Sequence, residues 1–175
     1  ASLPLVVVDA HVHVHACYDS ARFFDHAVRN LSRAAASGGA NAREPRPWHG
    51  VLLLTEGAGE DFFETASHLA VAGSAIGRWI PRVTSERESL CLSSGDDTLF
   101  LVAGRQIACA EDLEVLALAT TDRIDDGRPI RDVLTWARAA GALPVVPWGA
   151  GKWLFARGRL LDALLREADG ASLFL

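Results

Sequence analysis

Residues 6–15, VVVDAHVHVH, decide how the rest of the chain is read: an apolar run passes directly into histidines spaced by two. A β-strand sends successive side chains to opposite faces. An extended chain here therefore sets Asp9, His11, His13 and His15 on one side. Two imidazoles at that spacing can share one metal ion. Half of the six histidines fall within residues 11–15, and a core strand that ends in clustered polar groups is the usual layout of an α/β site. The plain alternative is an edge strand with scattered polar residues.

Working outward, Ser20 is the expected N-cap of a helix with Phe24, Ala27, Val28, Leu31 and Ala35 at helical spacing, ended by Gly38 and Gly39. Residues 41–48, with Pro45 and Pro47, read as an exposed loop. GVLLLTEG, residues 50–57, is a second buried strand with Thr55 and Glu56 at its C-terminal end. A helix over 60–72 follows, its apolar face made by Phe62, Phe63, Ala66, Leu69 and Ala70. From Arg78 to Thr120 the signals are those of strands: 79–83, 89–92, 98–103, 106–109 and 113–119, with SSGDD (93–97) and AED (110–112) as turns. Pro129 stands at the start of a helix carrying Ile130, Val133, Leu134, Ala137 and Ala140, stopped by Gly141. LPVVPWGAGKW, residues 143–153, is the next strand and its exit loop. A helix over 158–168 buries Leu160, Leu161, Leu164 and Leu165, and ASLFL, residues 171–175, reads as a further core strand.

This order, βαβα, an inserted β-meander, then αβαβ, predicts an α/β fold with a parallel sheet and helices outside it. A distorted or incomplete (β/α) barrel is the first expectation and an open doubly wound sheet the second. The chain, 175 residues long, is expected to form a single domain. Its close on a bare apolar strand suggests either that the C-terminal part of a barrel is missing or that a partner, such as a second copy in a homo-oligomer, caps the edge.

Composition narrows the function. A net charge of −5 offers no basic field for nucleic acid or an anionic membrane. No apolar run is long enough to span a bilayer and no leader pattern is present, so a cytoplasmic protein is expected. Cys17, Cys91 and Cys109 form no CxxC pair and indicate neither a disulfide framework nor a thiolate zinc site. The carboxylates of Glu111, Asp112, Asp125 and Asp126 fall in turns and read as solvated.

A metal hydrolase needs imidazole and carboxylate ligands converging on an open coordination position. His11 and His13 supply two ligands from one strand end, and Asp9 is a third ligand or an acceptor that orients an imidazole. Glu56 is the best-placed carboxylate on another strand, as ligand or general base. Gln106, Trp148 and Lys152 stand near strand exits as candidates for binding an anionic substrate. Lys152 is the single lysine of the chain; it either binds a phosphate or carboxylate or snorkels over the flanking tryptophans.

DAHVHVHACYDS, residues 9–20, with a strand before it and a helix after, resembles the first motif of the PHP (polymerase and histidinol phosphatase) family, among the HxH-bearing hydrolases of the amidohydrolase type. The resemblance implies a distorted seven-stranded β/α barrel holding two or three zinc, manganese or iron ions for phosphoester hydrolysis. It extends to LLLTEG, residues 52–57, where the family's strand ends in Thr-Asp-His, and to VAGRQI, residues 102–107, where it has Gly-x-Glu. Here Gly57 replaces that histidine, Gln106 replaces a bridging glutamate, and PWGAGKW, residues 147–153, occupies a strand end where another histidine is common. The implied site shrinks to one divalent metal on His11 and His13, with Glu56 in place of an aspartate. Two readings follow: a PHP-like hydrolase, or an inactive PHP-like domain that binds an anionic small molecule or serves an assembly.

Overall fold

The computed structural model describes residues 4–38, 47–149, 151, 153–167 and 173. They divide into two compact units, Ala1–Leu54 with Glu60–Ala103, and Thr55–Gly59 with Gly104–Leu175.

The first unit runs β1 (Leu5–Val12), α1 (Ser20–Gly38), β2 (Trp48–Leu54), α2 (Phe62–Ala72), β3 (Ile80–Val83), β4 (Ser89–Ser94) and β5 (Asp97–Val102). Its five strands form one sheet in the order β1-β2-β5-β4-β3. β1, β2 and β5 are parallel, whereas β5, β4 and β3 are antiparallel. The hairpin predicted at SSGDD is present, with Gly95 at φ 59 in the two-residue turn between Ser94 and Asp97. α1 begins where the sequence suggests, but Asp19 rather than Ser20 is its cap: Asp19 Oδ1 accepts the Arg22 N–H at 3.1 Å. Phe24, Val28 and Leu31, one helical face, are buried against Leu52, Leu54, Leu99 and Leu101 of β2 and β5. Full burial of a side chain the size of Phe24 contributes about 1.5–3 kcal/mol. α1 lies so close to the sheet that a Cβ on Gly50 would sit 2.8 Å from Leu31 Cδ1 and 2.6 Å from Leu99 Cδ2. Asp25 Oδ1 accepts from Arg78 Nε at 2.7 Å and Trp79 Nε1 at 3.0 Å, which pins α1 to the approach of β3. These bonds hold the Asp25 carboxyl below its ordinary pKa.

The second unit contains β6 (Gly104–Ala108), β7 (Glu114–Leu118), α3 (Ile130–Ala139), β8 (Leu143–Val145) and α4 (Phe155–Glu167). β6, β7 and β8 form an antiparallel sheet. Glu56 adds one parallel bridge to β6: its N–H donates to Gly104 O at 3.0 Å, and Gln106 N–H donates to Glu56 O at 2.9 Å. Ile130, Val133, Leu134 and Ala137 of α3 pack with Leu161 and Leu164 of α4, Val115 and Ala117 of β7, and Leu173.

The expected parallel sheet is corrected: one sheet is mixed and the other antiparallel, and no closed barrel is seen among the described residues. The meander divides between the units: β3, β4 and β5 complete the first sheet, while β6 and β7 start the second. β8 opposes β7 because residues 119–129, not a helix, make the return crossing. That loop comes back to the β6 exit, where Gly127 N–H donates to Ala108 O and Ala110 N–H to Arg128 O. α3 therefore starts at that end, and the strand after it must run against β7. The acidic turns are structural as well: Glu111 accepts the Ile130 N–H at 3.0 Å at the start of α3, and Asp126 accepts the Ala108 N–H at 2.9 Å. α4 starts earlier than predicted, at Phe155. Of the terminal strand expected over 171–175, only Leu173 is among the described residues, and it is buried.

Candidate metal centre

β1 is an edge strand, and its end does not stay regular. Asp9 pairs with Leu52 and Val12 with Leu54, so β1 uses one more residue than β2 over this step. Such a bulge reverses the alternation of faces. Val7, before it, packs against the same core as Val12 and Val14 after it, although their numbers differ in parity. Asp9 forms part of this kink, Oδ1 accepting the His11 N–H at 3.4 Å. The single side expected for Asp9 and all three histidines is thus broken. With Val12 and Val14 seated inward, His13 and His15 turn outward.

The three imidazoles form a row. Ring centroids are 5.3 Å apart for His11 and His13 and 5.4 Å for His13 and His15, the latter pair nearly parallel at 12°. Tyr18 meets His15 edge-on at 5.2 Å. A carboxylate from the approach to α2 closes the group: Glu60 Oε2 lies 3.2 Å from His13 Nδ1, and Glu60 Oε1 contacts His15 Nδ1. His13 and Glu60 are half-buried, at 26% and 18% side-chain exposure, and His15 is open to solvent. One ligand atom from each of His13, His15 and Glu60 can be chosen so that all lie within 4.8 Å of one another. Two imidazoles and a carboxylate on one side of a half-exposed strand end can converge on a cation while leaving a coordination position open.

The candidates from the sequence fall as follows. His11 and His13 are adjacent, as expected. Asp9 is exposed and bonded to the His11 backbone. Glu56 and Gln106 belong to the second unit, where Glu56 is buried and paired with Arg105, Nη1 to Oε2 at 3.0 Å. Trp148, also of that unit, is 73% exposed. Lys152 lies outside the described residues. Sequence reasoning missed Glu60 as a site residue and gave His15 no ligand role. The signal for Glu60 was its position: a carboxylate on the short connection between the strand neighbouring β1 and the next helix.

No protein-family model matches the chain, and no curated protein or solved structure matches it.

Proposed function

We propose that this chain is a metal-dependent hydrolase of the PHP or amidohydrolase type, holding one zinc, manganese or iron ion at the end of β1. The convergence of His13, His15 and Glu60 carries this reading. Two histidines and one glutamate are a donor set used by catalytic zinc. When bound, such an ion lowers the pKa of a coordinated water and polarises a substrate oxygen. The chain's own residues hold and orient. Glu60 fixes both imidazoles, Asp9 fixes the backbone of His11, and the His11 ring stands beside His13 as the group to donate a proton to a leaving oxygen or nitrogen. On this reading β1, β2 and β5 are parallel strands of a distorted PHP-type β/α barrel, and the substrate is a small phosphoester or amide. The other reading, an inactive relative that binds an anionic small molecule, draws on Gly57 and Gln106, which replace two ligands that the resemblance implies.

Metal content measured on protein purified without chelator tests the proposal. The expected result is one ion per chain, lost in a His13→Ala, His15→Ala double variant, with affinity for added zinc reduced roughly 10–100-fold by Glu60→Gln. Phosphatase and phosphodiesterase screening of the metal-loaded protein follows. A chain that binds no stoichiometric zinc, manganese or iron sinks the hydrolase reading.

A further inference from the structure

The connection from β1 to α1 brings one further side chain to the histidines. Among the described residues of the first unit every Phe and Trp is wholly or partly buried, whereas Tyr18 is 47% exposed. A lone exposed ring is ordinary on a protein surface. This one is fixed at the rim of the candidate metal centre.

The Tyr18 ring meets His15 edge-on, with centroids 5.2 Å apart and planes at 74°, and lies nearly parallel to Phe23, 6.4 Å away at 15°. Both are geometries that aromatic pairs prefer. Phe23 packs on the core and meets the fully buried Phe24 at 5.4 Å, so a row of rings runs from the core of the unit out to His15. The backbone is held as well. Tyr18 N–H donates to His15 O at 2.9 Å, Phe23 N–H donates to Asp19 O at 2.9 Å, and Asp19 caps α1 through the Arg22 N–H. A ligand that covers the exposed part of Tyr18 therefore orders little on arrival, which favours affinity.

We propose, resting on the metal-hydrolase reading above, that Tyr18 is a specificity-determining residue: its ring is a stacking wall that selects phosphoesters or amides carrying a planar aryl or heteroaryl ring next to the reacting group. The reacting group sits at the ligand atoms of His13, His15 and Glu60, and Tyr18 stands one imidazole away from them. A ring joined directly to that group reaches Tyr18. The openness of the site favours a ring over an alkyl group. His15 and Tyr18 are both open to solvent, so an alkyl chain keeps much of its hydration there, while a flat ring loses water from a whole face in one contact with Tyr18.

The chain contains a single tyrosine, so labelling with fluorotyrosine places one fluorine NMR resonance at Tyr18. The zinc-loaded chain is titrated with phenylphosphonate and, separately, with methylphosphonate, which carries the same charged group without the ring. Phenylphosphonate should bind about tenfold or more tightly, the size of a well-packed aromatic contact, and its ring current should shift the resonance, which methylphosphonate leaves nearly in place. Tyr18→Ala should bring the two probes within about twofold of each other with zinc still bound, and Tyr18→Phe should keep the preference, since the ring remains. Tyr18 is exposed, so both variants fold, as a thermal melt will verify. Zinc bound without a preference for phenylphosphonate, or a preference that survives in Tyr18→Ala, overturns this proposal alone. A chain that takes up no zinc overturns it together with the hydrolase reading.

Discussion

Replacing Glu56 with Gln removes one half of a buried ion pair and leaves the other half in place. Arg105 Nη1 and Glu56 Oε2 are 3.0 Å apart, and the side chains are 9% and 7% exposed. At an effective dielectric constant of about 20, two charges at that separation attract by about 5–6 kcal/mol. Desolvation takes back several kcal/mol for each ion, so the intact pair contributes little net stability. A single deletion behaves differently, because the remaining charge keeps its burial and loses this ion-pair contact, at a cost of about 3–5 kcal/mol. That is a large part of the roughly 5–15 kcal/mol that stabilises a whole domain. The double variant Glu56→Met, Arg105→Met removes both charges and keeps the volume. It should lie within about 2 kcal/mol of the unmodified protein; with the Glu56→Met and Arg105→Met single variants each costing about 3–5 kcal/mol, the coupling energy is about 4 kcal/mol or more. Urea unfolding followed by circular dichroism and tryptophan fluorescence measures all four corners of the cycle, with Trp136 and Trp153 as probes inside the same unit. A double variant as unstable as the sum of the single ones would refute the reasoning. Metal content offers a second check. Glu56→Gln should leave it unchanged if Glu56 serves the ion pair, and lower it if Glu56 is a ligand.

Further outcomes are expected. Cys17 is exposed and Cys109 buried, so a thiol reagent should modify Cys17 in the folded protein and reach Cys109 only on unfolding. Burial pushes the Cys109 thiol from 9.0 up to about 12. The fold favours the protonated form, so this contribution is complete below about pH 9 and is lost as pH rises toward about 12; Cys109→Ala should remove that part of the alkaline decline. Arg78 and the Trp79 N–H hold Asp25 below its ordinary value of 3.8, so its contribution is present at neutral pH and lost as pH falls through the depressed pKa. Asp25→Asn should therefore lower the melting temperature at neutral pH, with a difference that shrinks in acid. Gly77 has φ 59, and a Cβ there would lie 2.4 Å from Ala21 Cβ. Gly77→Ala should cost about 1–3 kcal/mol in a denaturant titration, while Gly59→Ala, where a Cβ meets nothing within 4 Å, should be near neutral.

The helices were legible because an apolar stripe recurring every three or four residues suits a helix and little else: Phe24, Val28 and Leu31 in α1, and Ile130, Val133, Leu134 and Ala137 in α3, are buried as their spacing predicts. Strand pairing was less legible. Alternation shows that a strand exists, not which neighbour it takes, so the break after Ala103 and the reversal at β8 left no local mark. Caps and side-chain bonds to backbone failed for another reason. Asp19, Glu111 and Asp126 resemble any solvated acid in sequence, and only the approach of Arg22, Ile130 and Ala108 N–H groups gives them work. The candidate site was half legible: the histidines announced themselves by repetition, whereas Glu60 lies forty-five residues beyond His15 and meets it only through the fold.

The extra residue in β1 between Asp9 and Val12 binds two properties that could otherwise vary apart. Removing it would restore strict alternation, sending the His13 and His15 rings toward the place where Val12 and Val14 now pack and the valines toward water. Mutations that straighten this strand would thus be purged as folding defects before their effect on the imidazoles could matter. Inheritance of a sound core carries the outward histidine pair with it.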